Sequence, residues 1–522
     1  MSSGQHIVFL PASAKSHVRL LFQFSLNLLT IHPSLSNTFL VSSINAPFLN
    51  QEAALQPASL MNALKGRWQI VEVEVGLQPE TSALIEREAF KDNLHIPLKK
   101  MMEGKGSSGF TQRPSAFVID VFRTFVPAAV RAVTQELSIP KIPVLIFVTT
   151  LAVHSYRMVT PEAEGGSGMS EGLQLRYQTF LQEGMTESEA AMKAYRNVKN
   201  ELTYLPDLPP MYDYEFTPQS TSFLIDRNFV FIMSMPYLAV RQVDGVIYLS
   251  TPELDGKALT AIQKVMGYPV FGIGPQFSEA VWNSAQGEKE KQVNLEEKDI
   301  FDFLDAAHQE YGTNCTAYIS LGTLAWPTLR PSLIETIVTS LLDIVPPVPF
   351  VFATASSRGK MDPDLKRRVE LSGRGKVIDW VPQLRVLQHK AVGMFLTHCG
   401  SGSLTEAIIS GVPIIALPFV GDQPALAAFF TRTHKLGVQL HQLSSGNEGL
   451  TLGDGTVVVG TEEAMQRELK NTWERMRGAE GDAFRANVLA MRGLMRKSWE
   501  TGMTREAMLQ VVHSLPSLIS ST

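Results

Sequence analysis

A strand, a glycine-rich turn and the start of a helix follow one another between residues 394 and 411. Residues 394–396 are an apolar run typical of a buried strand, and the turn after them reads Thr-His-Cys-Gly-Ser-Gly-Ser. Exposed backbone N–H groups and the helix dipole at such a turn attract anions, and glycines let an anion approach the backbone closely. The turn therefore predicts a phosphate site, to which His398 and Ser403 can donate hydrogen bonds.

The same residues also have explanations that need no ligand. Ser403 and Glu406 have the Ser-x-x-Glu spacing of a helix capping box, which satisfies the helix end by itself. A glycine turn before a helix is also only a weak indication of phosphate binding when it stands alone. The turn by itself therefore leaves phosphate binding and simple helix capping open.

Two side chains in the first quarter of the chain have the properties of a catalytic pair. His17 lies at the start of the first predicted helix, where the helix dipole disfavours the imidazolium and leaves a ring that can accept a proton. Asp120 ends the apolar run that begins at Phe117, which is a frequent position for site residues in open α/β sheets. A capping or surface role for His17 and an N-cap role for Asp120 are the simpler alternatives.

The whole stretch from Trp380 to Gln423 resembles the signature segment of the family 1 UDP-dependent glycosyltransferases, which include the plant natural-product glucosyltransferases. It has that segment's 44 residues, opens with Trp-x-Pro-Gln, carries His-Cys-Gly in the middle and closes with Asp-Gln. The matching residues are Trp380, Pro382, Gln383, Leu387, His389, Phe395, His398, Cys399, Gly400, Ser403, Glu406, Gly411, Val412, Pro413, Pro418, Asp422 and Gln423. The match implies UDP-sugar binding and outweighs the ligand-free explanations of single residues.

The resemblance implies how the nucleoside of the donor is held. Trp380 is expected to stack on uracil, and the backbone of Val381 to hydrogen-bond the base edge. Glu406 is expected to accept hydrogen bonds from the ribose hydroxyls, with Gln383 nearby. Each role suits the donor and acceptor atoms of its group.

The groups that the resemblance places at the diphosphate all donate a hydrogen bond, which suits an anionic ligand. They are His398, Ser403, Thr323 and the backbone amides of Gly400 and Gly402. Thr323 follows the run Tyr-Ile-Ser-Leu-Gly, which resembles the family's strand and turn at the start of its second domain. The sequence departs from the plant pattern at Ser401 and Gly402, where plants usually have Trp-Asn, and this replacement bears on which sugar is bound.

At the sugar end, the resemblance implies that Asp422 and Gln423 bind hydroxyls, with Thr149 close by. It further implies that His17 is the catalytic base and that Asp120 orients its ring and stabilises its charge. The acceptor hydroxyl would attack the anomeric carbon from the face opposite UDP, so that an α-linked donor gives a β-glycoside. No metal or other cofactor is expected, because hydrogen-bond donors already stabilise the departing diphosphate.

Other functions fit the sequence less well. A nicotinamide-dependent oxidoreductase requires a G-x-G-x-x-G turn, whereas residues 12–16 read Ala-Ser-Ala-Lys-Ser. A non-catalytic nucleotide-sugar binder would lack His17 or Asp120. A glycolipid-forming transferase held in a membrane would need an anchor, and the chain has no run of about 18 apolar residues. Asp362-Pro363-Asp364 is formally a D-x-D metal motif, but its place before a charged run is typical of a helix start.

The elements that position these residues are short apolar runs alternating with amphipathic segments. Strands are predicted at residues 6–11, 38–44, 70–75, 116–119, 144–148, 246–249, 317–321, 350–353, 376–378, 394–396 and 414–417. This βαβα alternation predicts an α/β fold with parallel sheets covered on both faces. We expect two doubly wound, Rossmann-like domains facing across a cleft, the arrangement called GT-B in the family.

The predicted organisation has four parts. Residues 1–275 form an N-terminal acceptor-binding domain, 276–300 a charged interdomain linker, 301–490 a C-terminal UDP-sugar-binding domain, and 491–522 a final helix that packs back on the N-terminal domain. The linker prediction rests on residues 286–298, QGEKEKQVNLEEK, which are nearly free of large apolar groups. The loop at 164–168, Glu-Gly-Gly-Ser-Gly, is interpreted as a lid or a connector.

Composition narrows the possible partners. The 522 residues suit two or more domains, and a net charge of -5 disfavours nucleic acid and anionic membrane surfaces. Two cysteines, Cys315 and Cys399, and the absence of a basic leader predict a soluble, cytoplasmic protein. The resemblance implies a small, apolar, hydroxylated acceptor such as a terpenoid, polyphenol or polyketide. It also implies glucose as the donor sugar, with xylose or glucuronate open, while the oligomeric state is not readable.

Overall fold

Two parallel β-sheets organise the computed structural model of this protein. The structure describes residues 4–78, 80–104, 112–222, 224–283, 295–323, 325–354, 356 and 359–520. Within these ranges, no helix is long and apolar enough to cross a membrane.

The strands follow the alternation expected from the sequence. Their bounds are β1 His6–Leu10, β2 Ser36–Ser42, β3 Trp68–Val73, β4 Ala116–Asp120, β5 Val144–Val148, β6 Leu202–Thr203, β7 Met211–Tyr212, β8 Gly245–Tyr248, β9 Val270–Gly272, β10 Thr316–Ser320, β11 Phe350–Ala353, β12 Gly375–Ile378, β13 Val392–Thr397, β14 Ile414–Ala416 and β15 Gly437–Gln439. Among the described residues, one sheet has the order β3-β2-β1-β4-β5-β8-β9, a second has β12-β11-β10-β13-β14-β15, and β6 pairs with β7. All pairs in the two large sheets are parallel.

Helices connect these strands. They are α1 Lys15–Ile31, α2 Ala46–Ala54, α3 Ala58–Ala63, α4 Ala83–Asn93, α5 His95–Met102, α6 Val126–Glu136, α7 Ala152–Val159, α8 Leu173–Gln182, α9 Glu187–Arg196, α10 Arg227–Ala239, α11 Pro252–Met266, α12 Glu279–Asn283, α13 Leu295–Tyr311, α14 Ser332–Asp343, α15 Pro363–Ser372, α16 Gln383–Leu387, α17 Ser401–Ser410, α18 Gln423–Ala428, α19 Glu462–Arg477, α20 Ala479–Thr501, α21 Met503–His513 and α22 Leu515–Ser520. In both sheets the strand order reverses direction beside the first strand, which confirms the prediction of two doubly wound sheets.

The central strands are buried on both faces. In β1, β4, β5 and β10 every residue is buried, as parallel strands covered by helices on both sides require. This explains why these strands appear in the sequence as continuous apolar runs instead of an alternating pattern. The carboxyl ends of the strands, where the candidate residues follow, are therefore held by the most rigid part of the molecule.

The end of the chain returns to the first sheet, although it follows the second. Met508, Val511 and Leu515 are buried in the same apolar cluster as Ile7 and Phe9 of β1. One face of α21 thus covers the first sheet beside β9. The helix α20 continues through residue 491, where the final helix was expected to begin, so the chain crosses between the halves within one long helix.

Several local predictions differ from the structure. Strands β9 and β15 and the β6–β7 hairpin were not predicted, because each contains only two or three residues. The end of the charged linker is helical, since Ile300, Leu304 and Ala307 give α13 a buried face. Of the predicted linker, residues 279–283 form α12, and residues 284–294 lie outside the described residues.

The loop at residues 164–168 packs closely on the end of α7. Ser167 Oγ donates a hydrogen bond to the carbonyl of Arg157 at 2.9 Å. A Cβ atom added at Gly166 would lie 2.0 Å from the carbonyl oxygen of Thr160. The loop therefore forms a compact turn in this structure, which favours the connector interpretation over a lid.

Asp362 caps α15 through the amides of Asp364 and Leu365, so this D-x-D run is a helix start, as its position indicated.

The docking of α21 leads to a stability prediction. Met508 is fully buried, and Met508→Ala is expected to lower the free energy of unfolding by about 2–5 kcal/mol, because it leaves a cavity in the core. Urea unfolding followed by circular dichroism measures this change. The exposed Gln510 on the same helix supplies the control, and Gln510→Ala is expected to change stability by less than about 0.5 kcal/mol. Equal effects of the two substitutions would contradict the docking of α21.

Candidate functional site

His17 and Asp120 meet at the carboxyl edge of the first sheet. His17 stands in the first turn of α1, which follows β1, and Asp120 is the last residue of the neighbouring strand β4. The Nδ1 atom of His17 lies 2.7 Å from Oδ2 of Asp120, and the backbone N–H of Phe122 donates to the other carboxyl oxygen at 2.9 Å. Asp120 is completely buried, while 17% of the histidine side chain is exposed. The structure thus brings the two predicted catalytic residues together with one edge of the ring accessible.

The second ring nitrogen of His17 lies beside a threonine hydroxyl. Its Nε2 atom lies 3.2 Å from Oγ1 of Thr149, the residue that follows β5. The ring stacks on Phe122 with centroids 5.4 Å apart and an interplanar angle of 26°. With Nδ1 donating to Asp120, the lone pair resides on Nε2, which is the atom that can accept a proton from a ligand.

Opposing influences act on the pKa of His17. Burial alone would lower this pKa, but the charge of Asp120, the hydrogen bond to it and the charge of Asp422 raise it above the ordinary value. A raised histidine pKa adds stability below the ordinary pKa of 6.5, and that stability is lost as the pH rises through the folded value. The imidazolium formed when the ring takes a proton is thus stabilised in place.

A buried ion pair beneath this dyad was not foreseen from the sequence. The guanidinium of Arg123 donates to both carboxyl oxygens of Glu86 at 2.8 and 3.0 Å, and its Nε donates to the carbonyl of Pro11 at 2.9 Å. Both side chains are at most 2% exposed. Ser13 donates a further hydrogen bond to Glu86. Burial would raise the pKa of Glu86, but the charge and hydrogen bonds of Arg123 lower it overall.

This ion pair fixes both members of the dyad. Pro11 and Ser13 belong to the loop between β1 and α1, which leads directly to His17. Arg123 lies three residues after Asp120 and its backbone N–H donates to the carbonyl of Asp120 at 2.9 Å. The only sequence signal was an arginine in the apolar run Val-Phe-Arg-Thr-Phe-Val.

The predicted phosphate site lies at the carboxyl end of β13 in the second sheet. Helix α17 begins at Ser401, with Gly400 as its N-cap and no side-chain cap. Ser403 therefore lies inside the first turn, and the capping-box explanation of Ser403 and Glu406 is wrong. A Cβ atom at Gly402 would meet no atom within 4 Å, so this part of the turn faces open space.

His398 is packed between two glycines at this turn. A Cβ atom at either Gly322 or Gly400 would lie 2.6 Å from His398 Nε2. Burial lowers the pKa of His398 to about 4, so that the ring is neutral at physiological pH and keeps one N–H. Thr323 follows Gly322 in the turn after β10, which brings its residue position beside the same ring.

The residues expected at the ribose form one hydrogen-bonded cluster. Gln383 Nε2 donates to Oε2 of Glu406 at 2.7 Å and to Oγ of Ser403 at 3.1 Å. Burial raises the pKa of Glu406, while the hydrogen bond from Gln383 and the charge of Arg19 on α1 act in the opposite direction. Ser403 therefore belongs to the glycine-rich turn and also lies beside Gln383 and Glu406.

Trp380 lies in the loop after β12, close in sequence to this cluster. Its large ring is 58% exposed, which leaves an aromatic face available for a ligand, whereas Val381 next to it is buried. An exposed tryptophan of this kind stands out, because large aromatic side chains are usually covered.

Asp422 links the two sheets. Its Oδ2 atom accepts a hydrogen bond from Oγ1 of Thr150 at 2.8 Å, and Thr150 follows Thr149 beside the dyad. The backbone N–H of Gly421 donates to the hydroxyl of Tyr195 at 3.2 Å, which adds a second contact between the halves. The adjacent Gln423 turns inward, and its Oε1 accepts from the amides of Phe419 and Val420. Thr150 and Tyr195 had no signal in the sequence.

The described residues contain no group of three or more His, Cys, Asp or Glu side chains that could hold a metal ion. The site is instead a cleft edge with one acid–base pair on the first sheet and a set of hydrogen-bond donors on the second. Such an arrangement can bind an anion and move a proton at a neighbouring hydroxyl.

The buried ion pair leads to a second stability prediction. Arg123→Met is expected to lower the free energy of unfolding by about 3–5 kcal/mol, because it leaves the Glu86 carboxylate buried without its partner. The double variant Glu86→Leu/Arg123→Met is expected to lose less, since no charge then remains in the core. Urea unfolding compares the two variants. Arg227→Met, which breaks an exposed ion pair with Glu187, serves as the control and is expected to cost at most about 1 kcal/mol. A double variant less stable than Arg123→Met would contradict this account.

Comparison with known proteins bears directly on this site. A family model described as UDP-glucoronosyl and UDP-glucosyl transferase matches residues 292–453, which include the glycine turn and the ribose cluster. UDP-glycosyltransferase eriJ of Hericium erinaceus is 28% identical over 356 residues, which span 61% of this chain and 67% of that protein. UDP-glucosyltransferase 45 of Panax ginseng is 36% identical over 147 residues, which span 28% of this chain and 29% of that one.

Solved structures share the fold along the whole chain. A UDP-glucosyltransferase from Polygonum tinctorium capable of glucosylating indoxyl superposes with a TM-score of 0.64 at 19% identity and covers 100% of both chains. A transferase from Siraitia grosvenorii in complex with UDP gives 0.66 at 18% identity and covers 98% of this chain and 99% of that one. The predicted GT-B architecture is therefore confirmed, and the family model and the sequence relatives support a family 1 UDP-dependent glycosyltransferase.

Proposed function

We propose that this protein transfers a sugar, with glucose as the preferred one, from a UDP-sugar to a hydroxyl of a small hydrophobic acceptor with inversion at the anomeric carbon. The observation that carries the proposal is the His17–Asp120 pair, whose Nδ1 and Oδ2 atoms lie 2.7 Å apart. Thr150, the residue after Thr149, donates a hydrogen bond to Asp422. This bond holds the proposed donor half beside the proposed base.

In this reaction the acceptor hydroxyl loses a proton to the protein and gains the sugar from UDP. The acceptor hydroxyl gives its proton to His17 Nε2, and its oxygen forms a bond to the anomeric carbon. The bond between that carbon and the β-phosphate oxygen breaks, and its electrons leave with UDP. Asp120 stabilises the imidazolium through Nδ1, as a buried carboxylate does for a catalytic histidine. Attack from the face opposite UDP turns an α-linked donor sugar into a β-linked product.

The second half is proposed to bind the donor in sequence from base to sugar. Trp380 and the backbone of Val381 hold uracil, and Glu406, with Gln383, holds the ribose. The phosphate contacts are proposed as donors at the start of α17 and beside it: His398, Ser403, Thr323 and the amides of Gly400 and Gly402. A neutral His398 serves as one N–H donor, since donors aimed at the departing oxygens stabilise the charge that develops there. No metal ion is required for this role.

Asp422, Gln423 and Thr149 are proposed at the sugar. In this structure the carboxylate of Asp422 accepts from Thr150, and Gln423 Oε1 accepts from two backbone amides. These bonds fix both side chains at the mouth of the cleft. For the acceptor, the stacked ring of Phe122 offers an apolar surface next to the base. A relative of the same fold is capable of glucosylating indoxyl, and a small aromatic hydroxyl compound suits this position.

His17→Ala is expected to reduce acceptor-dependent release of UDP by about 10²–10⁴-fold, because the proton acceptor is lost. A panel of UDP-glucose, UDP-xylose and UDP-glucuronate with hydroxylated aromatic acceptors, assayed in EDTA, measures this release and identifies the sugar. His95→Ala, at an exposed histidine 56% accessible, is the control and should retain full activity. Release that survives His17→Ala would mean that another group is the base, and release abolished by EDTA would mean that a metal is needed.

The pH dependence of kcat/KM should follow the pKa of His17. Only the neutral ring accepts a proton, so activity is expected to fall below the folded pKa, with the acid limb lying above pH 6.5. Asp120→Asn removes the main group that raises this pKa and leaves the effect of burial, so the limb should move to lower pH while kcat falls. Measuring kcat/KM from pH 5 to 9 for the wild type and Asp120→Asn tests this. An acid limb at the same pH in both proteins would mean that the profile does not report the pKa of His17.

A further inference from the structure

A groove of about 530 Å³ lies at the outer edge of the second sheet. One wall is the edge strand β15, and the other is a single face of α19. The helix residues that line it recur at three- and four-residue spacing: Ala464, Arg467, Glu468, Asn471, Thr472 and Arg475. From the first to the last of these the helix rises about 17 Å, which is the length of about five residues in a β-strand.

The main chain of β15 has unused hydrogen-bonding groups on the groove side. The amide of Ile414 bonds to the carbonyl of Leu436, and the amide of Leu440 bonds to the carbonyl of Ala416. In a parallel pair, every second residue of a strand bonds to the neighbouring strand. Leu436 and Leu440 bond to β14, so Gly437 and Gln439 direct their N–H and C=O groups outward. Within the described part of the chain, these groups have no hydrogen-bond partner; Gly437 is buried and Gln439 is partly exposed. An open strand edge of this kind is a template for another strand.

An acidic side chain already binds the continuation of this edge. The two carboxyl oxygens of Glu468 accept hydrogen bonds from the consecutive backbone amides of His441 and Gln442, each at 2.8 Å. Burial raises the pKa of this carboxyl group to about 7, while the hydrogen bonds from the two amides act in the opposite direction. Phe484 also lines the groove.

The charge of the groove favours an acidic occupant. Besides the imidazole of His441, its lining holds four cations and two carboxylates: Arg432, Lys435, Arg467, Arg475, Glu468 and Glu480. Arg475 is held by Glu480 at 2.6 Å and Arg432 by Glu215 at 3.4 Å. Lys435 and Arg467 make no ion pair with any described residue, although the whole chain carries a net charge of -5. Two unpaired cations thus flank an open strand edge.

We propose that this groove binds an acidic, extended segment of a partner protein, which adds as a strand along β15. The main chain of the segment pairs with the outward groups of Gly437 and Gln439, and its carboxylates pair with Lys435 and Arg467. Main-chain bonds supply affinity and the charged side chains supply selectivity, as in other cases of strand addition. The site is separate from the donor cleft and does not depend on the reaction proposed above.

The probe for this proposal is a labelled, end-capped peptide Glu-Val-Glu-Val-Glu, titrated with the full chain and followed by fluorescence anisotropy. Gln439→Pro removes the outward N–H of β15, while the bonds of Leu436, Val438 and Leu440 to β14 are left in place, and proline is tolerated on such an edge. This variant is expected to weaken binding about tenfold. Arg467→Glu is expected to weaken it by a similar factor, and the peptide Lys-Val-Lys-Val-Lys should not bind.

Arg367→Glu makes the same charge change as Arg467→Glu, but on α15 near the opposite edge of the sheet, and should leave binding unchanged. Unchanged sugar transfer by Gln439→Pro verifies that it is folded. Absence of peptide binding to the wild type, or equal binding by Gln439→Pro, would overturn the proposal. Displacement of the peptide by inorganic pyrophosphate at the same concentration would instead assign a small-anion site. If the chain self-associates and Gln439→Pro abolishes that self-association, the occupant is a second copy of the chain. Either of these two results would overturn the proposal of a partner segment.

Discussion

The site depends most directly on the buried ion pair between Glu86 and Arg123. This carboxylate collects donors from the loops after three adjacent strands: Ser13 after β1, Asn45 after β2 and Arg123 after β4. The loop after β1 leads to His17, and the loop after β4 follows Asp120; these are the two proposed catalytic residues. Two charges in a core are costly unless their hydrogen bonds are satisfied, and here the fork of Arg123 and the loop donors satisfy them. The geometry at His17 therefore depends on an ion pair whose two side chains are at most 2% exposed.

The two halves of the chain supply groups of different charge to the proposed reaction. In the proposed reaction the first sheet supplies the group that changes protonation, His17, and the charges of Asp120 and Asp422 raise its pKa. The second sheet supplies donors that keep their protons, since burial holds His398 neutral and the other contacts are amides and hydroxyls. These donors bind an anion without titrating near physiological pH, so we expect His17 to dominate the pH dependence, with Glu406 and Asp422, whose pKa values burial raises, as the other titrating groups.

Much of this molecule could be predicted from the sequence, because the information is local. The central strands are continuous apolar runs, and the signature segment lies within one stretch of the chain. What escaped prediction depends on residues far apart in sequence: Glu86 and Arg123 are separated by 37 positions, and Thr150 and Asp422 by 272. Charged residues such as Glu86 usually lie on surfaces, so nothing in the sequence marks this one as buried. The alternative of a capping box at Ser403 and Glu406 is wrong because Gly400 is the N-cap, which places Ser403 inside the first turn.

Asp422 lies where the two halves come together, and its position has consequences for how they work as one enzyme. Its carboxylate is bonded to Thr150 of the first half, while its charge raises the pKa of His17. Burial raises the pKa of Asp422 itself, so its charge is held at a cost that the bond from Thr150 partly offsets. A sugar bound at Asp422 would bring its hydroxyls to that carboxylate and alter the field at the base. We therefore expect occupation of the proposed donor site in one half and the basicity of His17 in the other to be coupled through a single side chain.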